Sequence, residues 1–130
     1  MVSAIIQYMN ILSPTETDIL NRLAAAIQKG YPKADSIIVF GSRARGTSHE
    51  ESDLDVAILL NTKRVRMEDW DSVWNIKWGV LEQLDAEEFP LSLMLIPKDQ
   101  YARATTGVEL AIKKEGIPIW HRRTTPELNS

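Results

Sequence analysis

The chain has 130 residues, of which 44% are hydrophobic and 25% charged, and its net charge is −3. That length suits one domain with a core of its own. The absence of cysteine excludes a disulfide framework and thiolate chemistry, and the negative balance argues against a general nucleic-acid binder, which needs excess lysine and arginine. Met1 to Leu12 lacks a basic n-region and a cleavage site of small residues, so it does not read as a signal peptide. No apolar run reaches the length of a membrane span, so no membrane association is expected and the default location is cytoplasmic.

Met1 to Leu12 carries a weak helical pattern in Ile5, Ile6, Met9 and Leu12, readable as a short helix or a docking arm. Ser13-Pro14-Thr15-Glu16 then combines an N-cap serine, a proline at the first helical position and a glutamate at N3, the elements of a capping box. Ile19, Leu20, Leu23, Ala24 and Ile27 predict the buried stripe of a helix running to about Lys29, ended by Gly30 and Pro32.

Asp35 to Phe40 is short, β-branched and flanked by turn residues, and predicts a buried strand. Gly41 to Gly46 turns the chain, and Asp53 to Leu60 predicts a second strand. Lys63, Arg64 and Arg66 sit in a basic loop before a long helix over Met67 to Leu84. Phe89 to Ile96 predicts a third strand, Thr106 to Glu115 a helix capped by Gly116, and Ile117 to Trp120 an edge strand, because it contains Pro118. The expected organisation is a single domain over residues 1–120 and a polar tail over 121–130.

The chemistry gathers between the first two strands. Gly41 permits a tight turn and close approach of backbone N–H groups to an anion. The Ser42 hydroxyl can donate to a phosphate oxygen, and Arg43 and Arg45 can fork onto phosphate. Ten residues separate Ser42 from Asp53, which with Asp55 stands two apart in a strand and so on one face. Leu54, Val56 and Ile58 then face the core. Paired carboxylates repel unless a cation lies between them, and magnesium takes such carboxylates together with substrate phosphates. His49 reads as a loop residue near this place.

Val39-Phe40-Gly41-Ser42-Arg43-Ala44-Arg45-Gly46, followed by Asp53-Leu54-Asp55, resembles the signature of the DNA polymerase β-type nucleotidyltransferase superfamily. It is similar in particular to the minimal members, the MNT proteins, as is the ending Lys113 to Trp120. The resemblance covers roughly residues 13–120. It implies an α/β (α+β) minimal nucleotidyltransferase fold, a small mixed sheet with helices packed mainly on one face. It implies ATP as substrate, with Gly41 and Ser42 on the triphosphate and two Mg2+ ions on Asp53 and Asp55. It also implies transfer of AMP to a protein hydroxyl and an antitoxin role beside a HEPN-domain toxin.

One departure stands out. Active members carry a third carboxylate on the next strand, where this sequence places Ser92 among leucines. Glu87 and Glu88 lie just upstream and read as a solvated loop at the strand's far end. Ser92 keeps a second reading open, a catalytically weak or inactive antitoxin that binds nucleotide or partner. A small-molecule (antibiotic) nucleotidyltransferase ranks third, since the chain has little room for an acceptor-binding domain.

On the long helix, Trp70, Trp74 and Trp78 form a stripe with Met67 and Leu81, and Val73, Ile76, Val80 and Leu84 widen the apolar arc to about half the circumference. Two readings are equally open: a core helix with bulky fillers, or a helix with one edge exposed to dock a partner.

Overall fold

The computed structural model describes residues 12–41 and 53–122. The expected N-terminal arm, the segment from Ser42 to the residue before Asp53, and the tail beyond Arg122 lie outside the described residues.

Helix α1 (Pro14–Gly30) starts on the capping box. The Ser13 N–H donates to Glu16 Oε1 at 2.7 Å, and the Glu16 N–H donates to Ser13 Oγ at 3.1 Å. Two otherwise orphaned donors are thereby satisfied. Ile19, Leu20, Leu23, Ala24 and Ile27 are fully buried, as the spacing predicts. Gly30 is the last helical residue, and Tyr31 leaves the helix at φ −140°.

Strands β1 (Ala34–Phe40), β2 (Leu54–Leu60), β3 (Leu91–Pro97) and β4 (Ile117–His121) form a sheet in the order β3-β2-β1-β4. β1 pairs antiparallel with β2 and with β4, and β2 pairs parallel with β3. The parallel pair needs a crossover, supplied by helix α2 (Met67–Gln83). Helices α3 (Lys98–Arg103) and α4 (Gly107–Glu115) lie between β3 and β4. The edge position expected from Pro118 is observed, with Pro118 opposite Ile38 beside a register shift.

Side-chain alternation splits the sheet into two faces. Leu54, Val56, Ile58 and Leu60 of β2 join Ile37 and Val39 of β1 in the larger core, together with α1 and buried residues of α2. Ile38, Ala57, Leu59 and Ile96 point the other way and pack against Ile112 of α4 in a smaller cluster. The two long helices thus cover one face, and the short ones only part of the other. Gly116, the α4 cap, is extended at φ −70° and not left-handed. Its demand is for space: a Cβ there would stand 2.6 Å from Ile38 Cγ2.

Two polar clamps tie the elements together. Asp69, in the first turn of α2, is buried and accepts hydrogen bonds from the Tyr31 hydroxyl, from the Arg66 N–H at 2.8 Å and from Lys33 Nζ at 3.3 Å. It joins the start of α2 to the turn between α1 and β1. Arg122 donates to the carbonyls of Ala34 at 2.8 Å and Tyr31 at 3.2 Å, which pins the end of β4 to the C-terminal end of α1. A cation there also complements the helix dipole.

Candidate active site

The site forms where β1 ends and β2 and β3 begin. Phe40, the last residue of β1, lies opposite Asp55, and Asp55 in turn lies opposite Ser92 of β3. The three positions form a row across the sheet on its less covered face, the face of Ala57 and Met94. Ser92, the residue at which the resemblance expects a third carboxylate, thus lies beside Asp55 in the sheet.

Gly41 follows directly, with φ +80°. This is left-handed backbone that only glycine adopts at little cost. A Cβ at Gly41 would collide with Asp55 Oδ2 and lie 3.3 Å from Asp55 Cγ. The glycine turn and the second aspartate thus share one small space, which a side chain at position 41 would fill. We expect Gly41→Ala to reduce nucleotide affinity by at least about tenfold, read by titration with Mg·ATP, and to lower stability by about 1–2 kcal/mol from the strained backbone. Unchanged affinity would detach the turn from the site.

Asp53 is exposed and stands one residue before β2. The neighbouring Leu54 N–H donates to the Pro90 carbonyl at 2.8 Å, closing the starts of β2 and β3 on each other. That pairing corrects the expected place of Glu87 and Glu88. Because β3 runs parallel to β2, residues just upstream of β3 lie at the same end of the sheet as Asp53, not at the far end. Both glutamates are exposed. Ser42, Arg43, Arg45 and His49 lie outside the described residues. Among the described residues, no group of three or more His, Cys, Asp or Glu is placed to hold a metal ion. The donors present are two hard carboxylates, a set that suits magnesium sharing its shell with substrate phosphates and water.

Sequence reasoning missed Lys77. It lies on α2 and is only 8% exposed, a rare state for lysine. Burial pushes its ammonium pKa down, while the charge of Asp53 works in the opposite direction. Its Nζ lies 4.5 Å from the Trp74 ring centre and 5.2 Å from that of Trp78, within cation–π range. The signal available in the sequence was a lone basic residue at core spacing four after Val73 and four before Leu81.

The tryptophan stripe divides. Met67, Trp70, Trp74 and Trp78 are exposed by 78%, 39%, 50% and 39%. Leu81, expected on the same stripe, is fully buried with Val73 and Val80. Val73 and Leu81 of α2 face the core they share with α1 and the sheet. The bulky rings are left at the rim, so the three tryptophans are not core fillers and one edge of the helix is exposed.

The family model "Polymerase beta, Nucleotidyltransferase" matches residues 22–124. No curated protein sequence matches the chain significantly. Among solved structures, the chain is similar to a candidate nucleotidyltransferase from Sulfolobus solfataricus, with TM-score 0.52 and 17% identity, covering 93% of this chain and 86% of that one. It is also similar to a toxin-antitoxin solved with AMP-PNP, with TM-score 0.55 and 23% identity over 83% of this chain and 77% of that one. A variant of the toxin-antitoxin MntA-HpeT gives TM-score 0.55 and 21% identity over the same shares. At these identities the structures speak for the fold. No helix among the described residues is long and apolar enough to cross a membrane.

Proposed function

The chain belongs to the polymerase beta nucleotidyltransferase family, and we propose that it transfers AMP from Mg·ATP to a hydroxyl of a partner protein, as the antitoxin of a toxin–antitoxin pair with a HEPN-domain toxin. The observation that carries this reading is the row Phe40, Asp55 and Ser92 with left-handed Gly41 packed against the Asp55 carboxylate. It puts an acid beside a left-handed glycine turn. The likeness to a toxin-antitoxin solved with AMP-PNP supports the choice of adenine nucleotide and of a toxin as partner.

In this reading Gly41, Ser42, Arg43 and Arg45 cradle the triphosphate, and Asp53 and Asp55 hold two Mg2+ ions. Bound there, magnesium supplies charge neutralisation at the α-phosphate and at the leaving pyrophosphate. The acceptor oxygen forms a bond to the α-phosphorus, the bond from that phosphorus to the α–β bridging oxygen breaks, and pyrophosphate leaves. The acceptor proton has no carboxylate to receive it at Ser92, so it passes to a phosphate oxygen or to water. Catalysis then rests on positioning and charge. Exposed Asp53 leaves room for a protein acceptor to approach.

The test is direct. The chain, Mg·ATP and the protein encoded beside its gene are incubated, and the partner is weighed by mass spectrometry. A gain of one AMP is expected. A stable complex with unmodified partner would sink the transfer and favour the second reading, an antitoxin that neutralises by binding alone, for which Ser92 is the supporting observation. Ser92→Asp separates the two further. If proton removal limits transfer, the variant should be faster by on the order of a hundredfold, the low end of what a positioned proton acceptor contributes.

A further inference from the structure

The exposed face of α2 is apolar in the middle and acidic at its border. Between positions 67 and 88 the only basic residue is Lys77, and it is buried. Glu68, Asp71, Glu82, Asp85, Glu87 and Glu88 are all exposed. Asp71 lies three residues before Trp74 and Glu82 four after Trp78, so both neighbour the rings on the helix surface. The stripe ends at the edge of the sheet that carries Asp53, since α2 runs back from the end of β2 to the start of β3.

The rings are also held in place. Trp74 and Trp78 meet edge to face at 5.9 Å and 73°, with the Lys77 ammonium beneath both. Rings already fixed in position lose little freedom on contact, which lowers the cost of docking. Tryptophan is also the side chain most enriched in anchoring positions of interfaces.

From this arrangement we infer that Trp70, Trp74 and Trp78 with their acidic border form a docking surface for a cationic, apolar segment of a partner protein. The inference rests on the partner half of the reading above and not on catalysis. The charge decides the occupant. The carboxylates of Asp71 and Glu82 beside the rings, with Asp85, Glu87 and Glu88 beyond the end of the helix, disfavour anionic lipid and nucleic acid alike, while rings alone would accept any apolar surface.

Three of the chain's four tryptophans lie on this face and the fourth, Trp120, is buried, so tryptophan emission reports the surface. The chain is titrated with a short amphipathic helical peptide of leucine and arginine, and in parallel with the same peptide carrying glutamate for arginine. A blue shift is expected with the arginine peptide only, and weaker at high salt. Trp74→Ala, and separately Asp71→Arg with Glu82→Arg, should each weaken binding by about tenfold. Equal binding of the glutamate peptide, no binding of either, or binding undiminished in both variants overturns the inference. So does a dimer in sedimentation that dissociates in Trp74→Arg, because the face would then belong to a second copy. Failure of docking with AMP transfer intact leaves the catalytic reading standing, and loss of transfer with docking intact leaves this surface standing.

Discussion

Asp55→Asn should abolish magnesium-dependent transfer of AMP, with a loss of at least about a thousandfold. Asp53→Asn should do the same. The carboxylates would bring the cations that neutralise the triphosphate, and an amide binds a hard divalent cation far more weakly than a carboxylate does. Asp55 sits where its carboxylate meets the Gly41 turn, so its charge is the one that the fold has positioned most closely. The assay uses labelled ATP with the partner protein. Mn2+ binding by calorimetry serves as a second readout, independent of turnover, and should weaken in both variants. Thermal unfolding checks that the sheet survives, and Asp99→Asn, on exposed α3 away from the row, is the matched control. Transfer that persists in Asp53→Asn and Asp55→Asn would remove these two acids from the metal site.

The second large effect is on stability. Asp69→Ala should cost about 3 kcal/mol, because it strips the hydrogen-bond acceptor from the Tyr31 hydroxyl, the Arg66 N–H and the Lys33 ammonium at once. Urea unfolding at neutral pH measures it. The pH dependence carries a further signature. Burial on its own would raise the Asp69 carboxyl, but the hydrogen bonds from Tyr31, the Arg66 N–H and Lys33, with the Lys33 charge, hold it below its ordinary 3.8. A carboxyl depressed in the folded state stabilises above its unfolded value, and that stability is lost as pH falls through the folded one. Tyr31 works at the other end. Burial first, then the hydrogen bond and charge of Asp69, push its hydroxyl well above its ordinary 10.0. The folded chain keeps that proton while the unfolded chain releases it, so stability is full below about pH 10 and declines as pH rises beyond it. Asp69→Ala should remove the acid limb and shrink the alkaline one, since Tyr31 stays buried. A variant that loses less than about 1 kcal/mol, or keeps both limbs, would show that this cluster is not what joins α2 to the turn before β1.

Much of the fold was legible because its signals are local. The Ser13–Glu16 box, the stripe of α1 and the alternation in β2 are set by neighbours within a few residues, and each is observed as expected. The turn glycine was legible for the same reason, since a strand that must reverse at once needs left-handed backbone at Gly41. The expected α/β architecture with a small mixed sheet is also what the pairing gives.

The misplacements all involve partners distant in sequence. Glu87 and Glu88 were put at the wrong end because nothing within Asp85 to Ser92 states that β3 runs parallel to β2. Leu81 was grouped with the tryptophans because helical spacing alone places it near Trp78 and Trp74, whereas packing against α1 and the sheet draws it inward. Lys77 was passed over because lysine is so rarely buried.

Sequence alone was enough to settle the local structure of each segment: which residues cap, which alternate and where the chain turns. Those outcomes depend on backbone sterics and hydrogen bonds over a few residues. Only the assembled sheet set Ser92 beside Asp55, turned three tryptophans outward and drew Lys77 under their rings. Those outcomes depend on which strands pair and which helix face buries the most apolar surface, and that balance is summed over segments far apart in the chain.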